Sequence, residues 1–134
     1  MYRNALREAA IPPEKIFRED EINLRAGNPR NELKVIPGNI IYLCSNDNYV
    51  TVVTIKGDSQ SKTTIRGTLK AAESELSKNG RFFRCHKCYF INLDFAGTIR
   101  GHNQNMTILL HPAGPEIPVS RARAEILQKI IKKV

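Results

Sequence analysis

Alternating polar and apolar positions dominate the chain after residue 32 and are typical of β-strands. Residues 49–56 (YVTVVTIK) are rich in β-branched side chains, which favour the pleated conformation of a strand. An apolar run at residues 39–44 (NIIYLC) precedes this segment and residues 62–66 (KTTIR) follow it, with the turn-forming clusters SNDN and GDSQS between them. The pattern predicts three antiparallel strands joined by short turns.

Two other segments have apolar positions at helical spacing. Thr68 is predicted to cap a helix that runs to about Lys78, and Gly80 suits the position just beyond its end. Ser120 is predicted to cap a second helix, in which apolar residues recur every three or four positions up to Val134. The chain is therefore predicted to contain two short helices beside its strands.

Five further short strands are predicted in the rest of the chain, at residues 82–85, 89–93, 96–102, 106–111 and 116–119. Residues 1–20 are charge-balanced and interrupted by Pro12 and Pro13, and residues 1–31 are assigned as an N-terminal linker or extension. Residues 32–134 are assigned to one domain, which is predicted to be mainly β with two helices.

Positive charge is concentrated toward the C-terminal end of the chain. The net charge is +8, and residues 81–134 carry nine Lys or Arg against three Asp or Glu, whereas residues 1–33 carry six of each. A basic surface attracts polyanions such as nucleic acid or an anionic membrane face. A binding surface is therefore expected in the last third of the chain.

Arg121 and Arg123 stand in the first turn of the predicted C-terminal helix, where the helix dipole disfavours positive charge. A helix N-terminus beside arginines is a site for an anion, and arginine is well suited to reading guanine. Two solvated arginines would explain the same residues, and the residues alone leave both interpretations open.

Cations and aromatic residues are interleaved in residues 81–89 (RFFRCHKCY), a mixture that is common in nucleic-acid sites. Phe82 and Phe83 are expected in the core. Arg84, His86 and Lys87 are expected at the surface, where they would face either a polyanion or only water.

The three cysteines, Cys44, Cys85 and Cys88, do not describe a secreted disulfide scaffold, so reduced thiols in a cytoplasm are expected. Zinc needs four ligands, and the remaining candidates, His102 and His111, are distant in sequence, so no metal is predicted. A structural role for the cysteines is favoured. A redox-sensing thiol at Cys85, with its pKa lowered by neighbouring cations, is a weaker hypothesis.

The sequence offers no residues for an enzyme. It has no Gly-rich phosphate loop, no GxSxG elbow and no HExxH motif, and its carboxylates are too scattered to nominate an acid and a base. No cofactor is predicted. No apolar run approaches the roughly 18 residues of a membrane span.

Four segments resemble the LytTR DNA-binding domain in order and spacing. They are residues 41–53 (IYLCSNDNYVTVV), 66–76 (RGTLKAAESEL), 82–93 (FFRCHKCYFINL) and 117–121 (IPVSR). The resemblance covers roughly residues 32–134. It implies an elongated stack of small, mostly antiparallel sheets with a few short helices, and it implies DNA binding by loops instead of a recognition helix.

The resemblance also implies roles for particular residues. Loop side chains of the family enter successive major grooves on one face of a bent duplex, and two copies of the domain occupy paired direct repeats. The positions that match the base-reading residues are Tyr49, Lys87 and Arg121. The positions that match contacts to the DNA backbone, or residues supporting them, are Asn48, Arg84, His86, Ser120 and Arg123.

The expected function is therefore the output domain of a bacterial transcription regulator, such as a response regulator of a two-component system. The expected partners are double-stranded DNA, a second copy of the domain, and an upstream receiver or sensor domain in cis or in trans. The expected location is the cytoplasm, although a parent protein could be tethered to a membrane. Two alternatives stay open: a single-stranded nucleic-acid module that stacks bases on Tyr49 and Tyr89, and a basic protein-interaction module.

Overall fold

The computed structural model describes residues 21–101, 105–111 and 115–132. Within these ranges the chain forms ten β-strands and two α-helices, arranged in three antiparallel sheets. The prediction of a mainly β domain with small antiparallel sheets and two helices is confirmed. The strands are β1 (Ile22–Leu24), β2 (Leu33–Val35), β3 (Ile40–Asn46), β4 (Tyr49–Lys56), β5 (Ser59–Arg66), β6 (Phe82–His86), β7 (Tyr89–Asn92), β8 (Ala96–Arg100), β9 (Thr107–Leu110) and β10 (Glu116–Pro118). The helices are α1 (Leu69–Leu76) and α2 (Arg121–Lys132).

The largest sheet has the strand order β5-β4-β3-β7-β6. The predicted meander forms its first three strands, and β4 has the predicted bounds. Both connecting turns are shorter than predicted, because each has only two residues between the strands. Asp47 and Gly57 begin these turns with φ values of 58° and 62°, the left-handed backbone that a tight hairpin needs.

The two smaller sheets are β1-β2 and β10-β9-β8. Predicted strand 96–102 ends at Arg100, while His102 and the turn at residues 112–114 lie outside the described residues. The β1-β2 sheet pairs a strand that precedes residue 32 with one that follows it. Leu24 and Ala26, in the segment assigned above to the N-terminal extension, are buried in the same core as Leu43 and Val50.

Both predicted helices form where the sequence places them. The Thr68 hydroxyl accepts a hydrogen bond from the Ala71 amide at 3.1 Å, which caps α1 as predicted. A short 3-10 turn, Ser77–Asn79, then leads into Gly80 with φ of 72°. α2 begins directly after Ser120, and the Ser120 carbonyl accepts from the Arg123 amide at 2.9 Å.

The five-stranded sheet has a hydrophobic core on each face. On one face, Leu43, Val50 and Phe90 of the sheet pack with residues of α1 and of the β1-β2 sheet. On the other face, Ile91 and its neighbours pack with the β10-β9-β8 sheet and with Leu127 of α2. Each fully buried aliphatic side chain contributes about 1.5–3 kcal/mol to stability. The packing therefore fixes both helices against the sheet, and with them the loops at the helix starts.

Candidate nucleic-acid interface

Two turns meet at one end of the five-stranded sheet. β3 and β7 are antiparallel neighbours, with Cys44 opposite Tyr89, so the turn after β3 and the turn before β7 lie side by side. The Ser45 amide donates a hydrogen bond to the Cys88 carbonyl at 3.0 Å and joins them. We call this region, residues 46–49, 66–68 and 86–89, the loop end of the sheet. It holds Asn48, Tyr49 and Lys87, all of them exposed.

The start of α2, residues 120–123, adjoins these turns, and we include it in the loop end of the sheet. The Ser120 amide donates a hydrogen bond to the Cys85 carbonyl at 2.8 Å, which ties the beginning of α2 to the end of β6. Arg121 and Arg123 are both exposed on the first turn of this helix. The Arg123 guanidinium lies 5.8 Å from the centre of the Phe83 ring, which steadies this cation against an aromatic surface.

A cleft of about 410 Å³ opens between the β6-β7 turn, α1 and the start of α2. The structure brings five of the predicted DNA-contacting or supporting residues together here. They are Arg84, His86, Lys87, Ser120 and Arg123, joined by Glu73 of α1. The cleft is therefore lined mainly by cations and hydrogen-bond donors, which suits an anionic ligand.

The Arg84 side chain points into the protein and braces the β6-β7 turn. Its Nε donates to the His86 carbonyl at 3.0 Å and its Nη2 donates to the Lys87 carbonyl at 2.7 Å. Its Nη1 forms an ion pair with Glu73 at 2.5 Å, and its side chain is 21% exposed. Since three nitrogens of the guanidinium already have protein partners, this geometry favours a supporting role for Arg84.

His86 also stabilises the turn. Its Nδ1 accepts a hydrogen bond from the Cys88 amide at 3.0 Å, so a neutral ring carries its proton on Nε2. The ring lies edge-on to Tyr89, with 5.7 Å between the ring centres. The remaining Nε2–H is a donor that the cleft can offer to an anion.

The β3-β4 turn is more open. Tyr49 is 44% exposed, and the Arg66 guanidinium lies 6.0 Å from the centre of its ring. Arg66 is directly opposite Tyr49 in the β4-β5 pairing. The sequence analysis did not single out Arg66, although its place at the end of the predicted third strand was a usable signal.

Comparison with known proteins now decides the family. The sequence-family model of the LytTr DNA-binding domain matches residues 31–132 of the chain. The chain belongs to the LytTR family. This family consists of DNA-binding domains and not of enzymes, so the resemblance described above is confirmed and the chain is a DNA-binding domain.

A solved structure supports the same fold. The LytTr DNA-binding domain of a putative methyl-accepting/DNA response regulator from Bacillus cereus matches with a TM-score of 0.63 and 18% sequence identity. The match covers 84% of this chain and 97% of that chain. A search of curated proteins gave no match. None of the helices in the described residues is both long and apolar enough to cross a membrane.

Cys85 of this LytTR domain does not have the properties expected of a redox sensor. Its side chain is fully buried, with Sγ 3.6 Å from the Pro118 carbonyl. Burial raises the pKa of the thiol from 9.0 to about 12, and this outweighs the lowering by a backbone hydrogen bond and by Arg84. The predicted lowering of the Cys85 pKa is therefore wrong. Within the described ranges, no cluster of three or more His, Cys, Asp or Glu side chains could hold a metal.

Cys85 is buried between two side chains of the cleft because successive side chains of a strand face opposite sides: Phe83 and Cys85 face the same core, while Arg84 and His86 line the cleft. The β6-β7 pairing shifts register between Arg84 and His86, which leaves Cys85 as the extra residue. Alternation along the sequence agrees with this burial but gives no sign of the register shift. Glu73 was likewise missed, because its role depends on how α1 packs beside β6.

Proposed function

We propose that this LytTR domain binds a specific double-stranded DNA sequence as the output domain of a bacterial transcription regulator. The observation that carries the proposal is the convergence of three loops at one end of the sheet. The β3-β4 turn, the β6-β7 turn and the start of α2 each present an exposed predicted base-reading residue there: Tyr49, Lys87 and Arg121.

Each of these residues suits recognition of base edges in a major groove. Arg121 can form two parallel hydrogen bonds with guanine O6 and N7, and Lys87 can donate to the same acceptors. The hydroxyl of Tyr49 is both a donor and an acceptor. Because the three side chains stand on separate loops, they would reach successive parts of the same face of the duplex.

The surrounding residues would hold the domain on the DNA backbone. Asn48, His86, Ser120 and Arg123 offer donors to phosphate oxygens, which fix the register but carry no sequence information. Arg84 would support the interface without contacting DNA, by holding the β6-β7 turn in place. Phosphate contacts also make the affinity fall steeply with salt.

We further propose that two copies bind paired direct repeats and that an upstream receiver or sensor domain controls them, in the cytoplasm. The description of the Bacillus cereus protein as a response regulator supports this context for a domain of the same fold. Single-stranded binding is less well supported. Tyr89 is half-buried against Tyr42 and His86, which leaves Tyr49 as the exposed ring at the loop end.

The experiment that tests this function is selection from a random duplex library at near-physiological salt, followed by sequencing. We expect a short motif to be enriched, as two repeats spaced by one or two helical turns of DNA. Titration of duplexes that carry one repeat or two would then count the bound copies. Salt-sensitive binding without any enriched motif, or a preference for single strands, would contradict the proposal.

A further inference from the structure

Glu73 is an acidic residue in a basic cleft and calls for an explanation. It lies on α1, its side chain is 38% exposed, and it lines the same cleft as Lys87 and Arg123. A carboxylate near DNA phosphates weakens binding by repulsion, so attraction to the ligand does not account for its position. Its contact in the structure is with Arg84.

We propose that Glu73 is a positioning residue for sequence recognition: it orients the Lys87 turn through Arg84 and sets base preference without touching DNA. This inference rests on the proposed function, in which Lys87 reads a base. It assigns to α1, a helix that carries none of the three base-reading residues, control over the geometry of one of the reading loops.

The first step of the argument is the geometry of the guanidinium. This group is planar, with its donors in a fixed fork, so holding one nitrogen fixes the direction of the others. Glu73 holds Nη1 at 2.5 Å, while Nε and Nη2 reach the carbonyls of His86 and Lys87. The position of the Glu73 carboxylate is thereby passed on to two successive peptide groups of the turn.

The second step is that the rest of the turn is also held. The Cys88 amide donates to His86 Nδ1 and the Cys88 carbonyl accepts from the Ser45 amide. With these groups fixed, binding has to order the Lys87 side chain but not its backbone. Pre-ordering of this kind raises affinity for the correct sequence, and it is lost when the supporting contacts are loosened.

The third step is electrostatic. Without Glu73, Arg84 would be an uncompensated cation in the cleft, free to turn from the carbonyls toward a phosphate. Glu73→Gln therefore has opposite effects on the two kinds of binding. Binding to random duplex becomes equal or tighter, because a negative charge is lost, whereas binding to the selected sequence becomes weaker, because the turn loosens.

The test measures dissociation constants for the selected duplex and for a scrambled duplex by fluorescence anisotropy. We expect Glu73→Gln to lower the ratio of selected to scrambled affinity by about five- to twenty-fold. Arg84→Lys keeps the positive charge but removes the planar guanidinium with its fixed donors. It should lower the ratio of selected to scrambled affinity in the same way. The matched control is Asp58→Asn, which removes one negative charge at the opposite end of the sheet and should leave the ratio unchanged.

Two further measurements separate positioning from general damage. In a Lys87→Ala background, Glu73→Gln should change the ratio by less than about two-fold, because the residue through which it acts is gone. In the free protein, Glu73→Gln should speed hydrogen exchange of the Cys88 amide while the core amides of β4 stay protected.

The outcomes are distinguishable. An unchanged ratio in Glu73→Gln, an equal loss on both duplexes, or a full effect that persists without Lys87 would each overturn the positioning role. If the wild-type domain binds the selected and the scrambled duplex equally well, the proposed function is wrong, and so is the inference about base preference. Faster exchange at Cys88 would then still establish that Glu73 orders the turn.

Discussion

The loop end of the sheet has two sides that are built differently. On the braced side, the β6-β7 turn and the start of α2 are held by Arg84, His86 and Ser120 through hydrogen bonds to backbone groups. On the open side, the β3-β4 turn presents Tyr49 beside Arg66, and the residues from 46 to 49 are all exposed. One backbone bond, from the Gly67 amide to the Asn48 carbonyl at 2.8 Å, joins the open turn to the end of β5.

The difference teaches how a loop can serve as a recognition element. A side chain on the braced side is aimed by a series of side-chain contacts to the backbone of its loop, so its function is sensitive to residues that do not touch DNA. A side chain on the open side is oriented mainly by its cross-strand neighbour and can adjust to the duplex. We expect the braced side to supply sequence preference and the open side to supply adaptable contact.

The largest expected effect is the protection of Cys85, which lies beneath the braced side. A thiol reacts as its thiolate, and burial holds the pKa of Cys85 at about 12 while also blocking access. At pH 8 we expect Cys85 to react with iodoacetamide at least about 100-fold more slowly than Cys88, which is half-buried in the turn. Mass spectrometry of digested samples would measure both rates, and comparable rates would show that the braced side opens readily.

The same burial has a consequence for stability. Because the folded pKa of Cys85 is raised, the unfolded chain loses this proton first as the pH rises. The contribution of the protonated thiol to the free energy of unfolding is present below about pH 9 and is lost progressively toward about pH 12. Cys85→Ala should show a flatter decline over this interval in denaturant unfolding, and an identical decline would contradict the assignment.

The next largest effect is the difference between the two sides in their contribution to sequence-specific binding. Arg121→Ala should cost about 1–3 kcal/mol of binding to the selected duplex and little on random duplex. Tyr49→Ala should cost about 1 kcal/mol or less, because an exposed side chain that adjusts to the duplex contributes a modest net hydrogen bond. Anisotropy titrations of both variants on both duplexes would check this. A larger loss for Tyr49→Ala would reverse the comparison between the two sides.

The sequence predicted the open side better than the braced side, for a physical reason. The open side is a hairpin of consecutive strands, and its strand β4, its turn residues and its pairing follow from side-chain alternation and from turn-forming residues that the sequence displays. The braced side depends on how helices pack beside strand β6, which neither turn motifs nor alternation predict. Examples are the Glu73–Arg84 ion pair and the Ser120–Cys85 hydrogen bond, which follow from packing and have no local pattern.

Two further misses have the same origin. β1 and β2 have three residues each, too few to show alternation, and their sheet is fixed when Glu75 accepts hydrogen bonds from the amides of Arg25 and Gly27. The second miss is the register shift at Cys85, because a bulge leaves no mark in the alternation of side chains. The resemblance to the LytTR family, in contrast, identified the family, which the match over residues 31–132 confirms, while the assignment of its loops to DNA contact stays a prediction.

The smallest expected effect tests whether the open turn is held by its backbone or by its side chains. Asp47 has φ of 58°, a conformation that costs most residues about 1–2 kcal/mol but is easier for Asp and free for Gly. Asp47→Gly should therefore change the free energy of unfolding by no more than about 0.5 kcal/mol, since relief of strain offsets the greater freedom of the unfolded chain. Lys87→Gly, on a residue with negative φ in the braced turn, should destabilise by about 0.5–1 kcal/mol. Urea unfolding of both variants would measure the difference. If Asp47→Gly were the more destabilising change, the Asp47 side chain would be holding the open turn, and that turn would be as firmly braced as its neighbour.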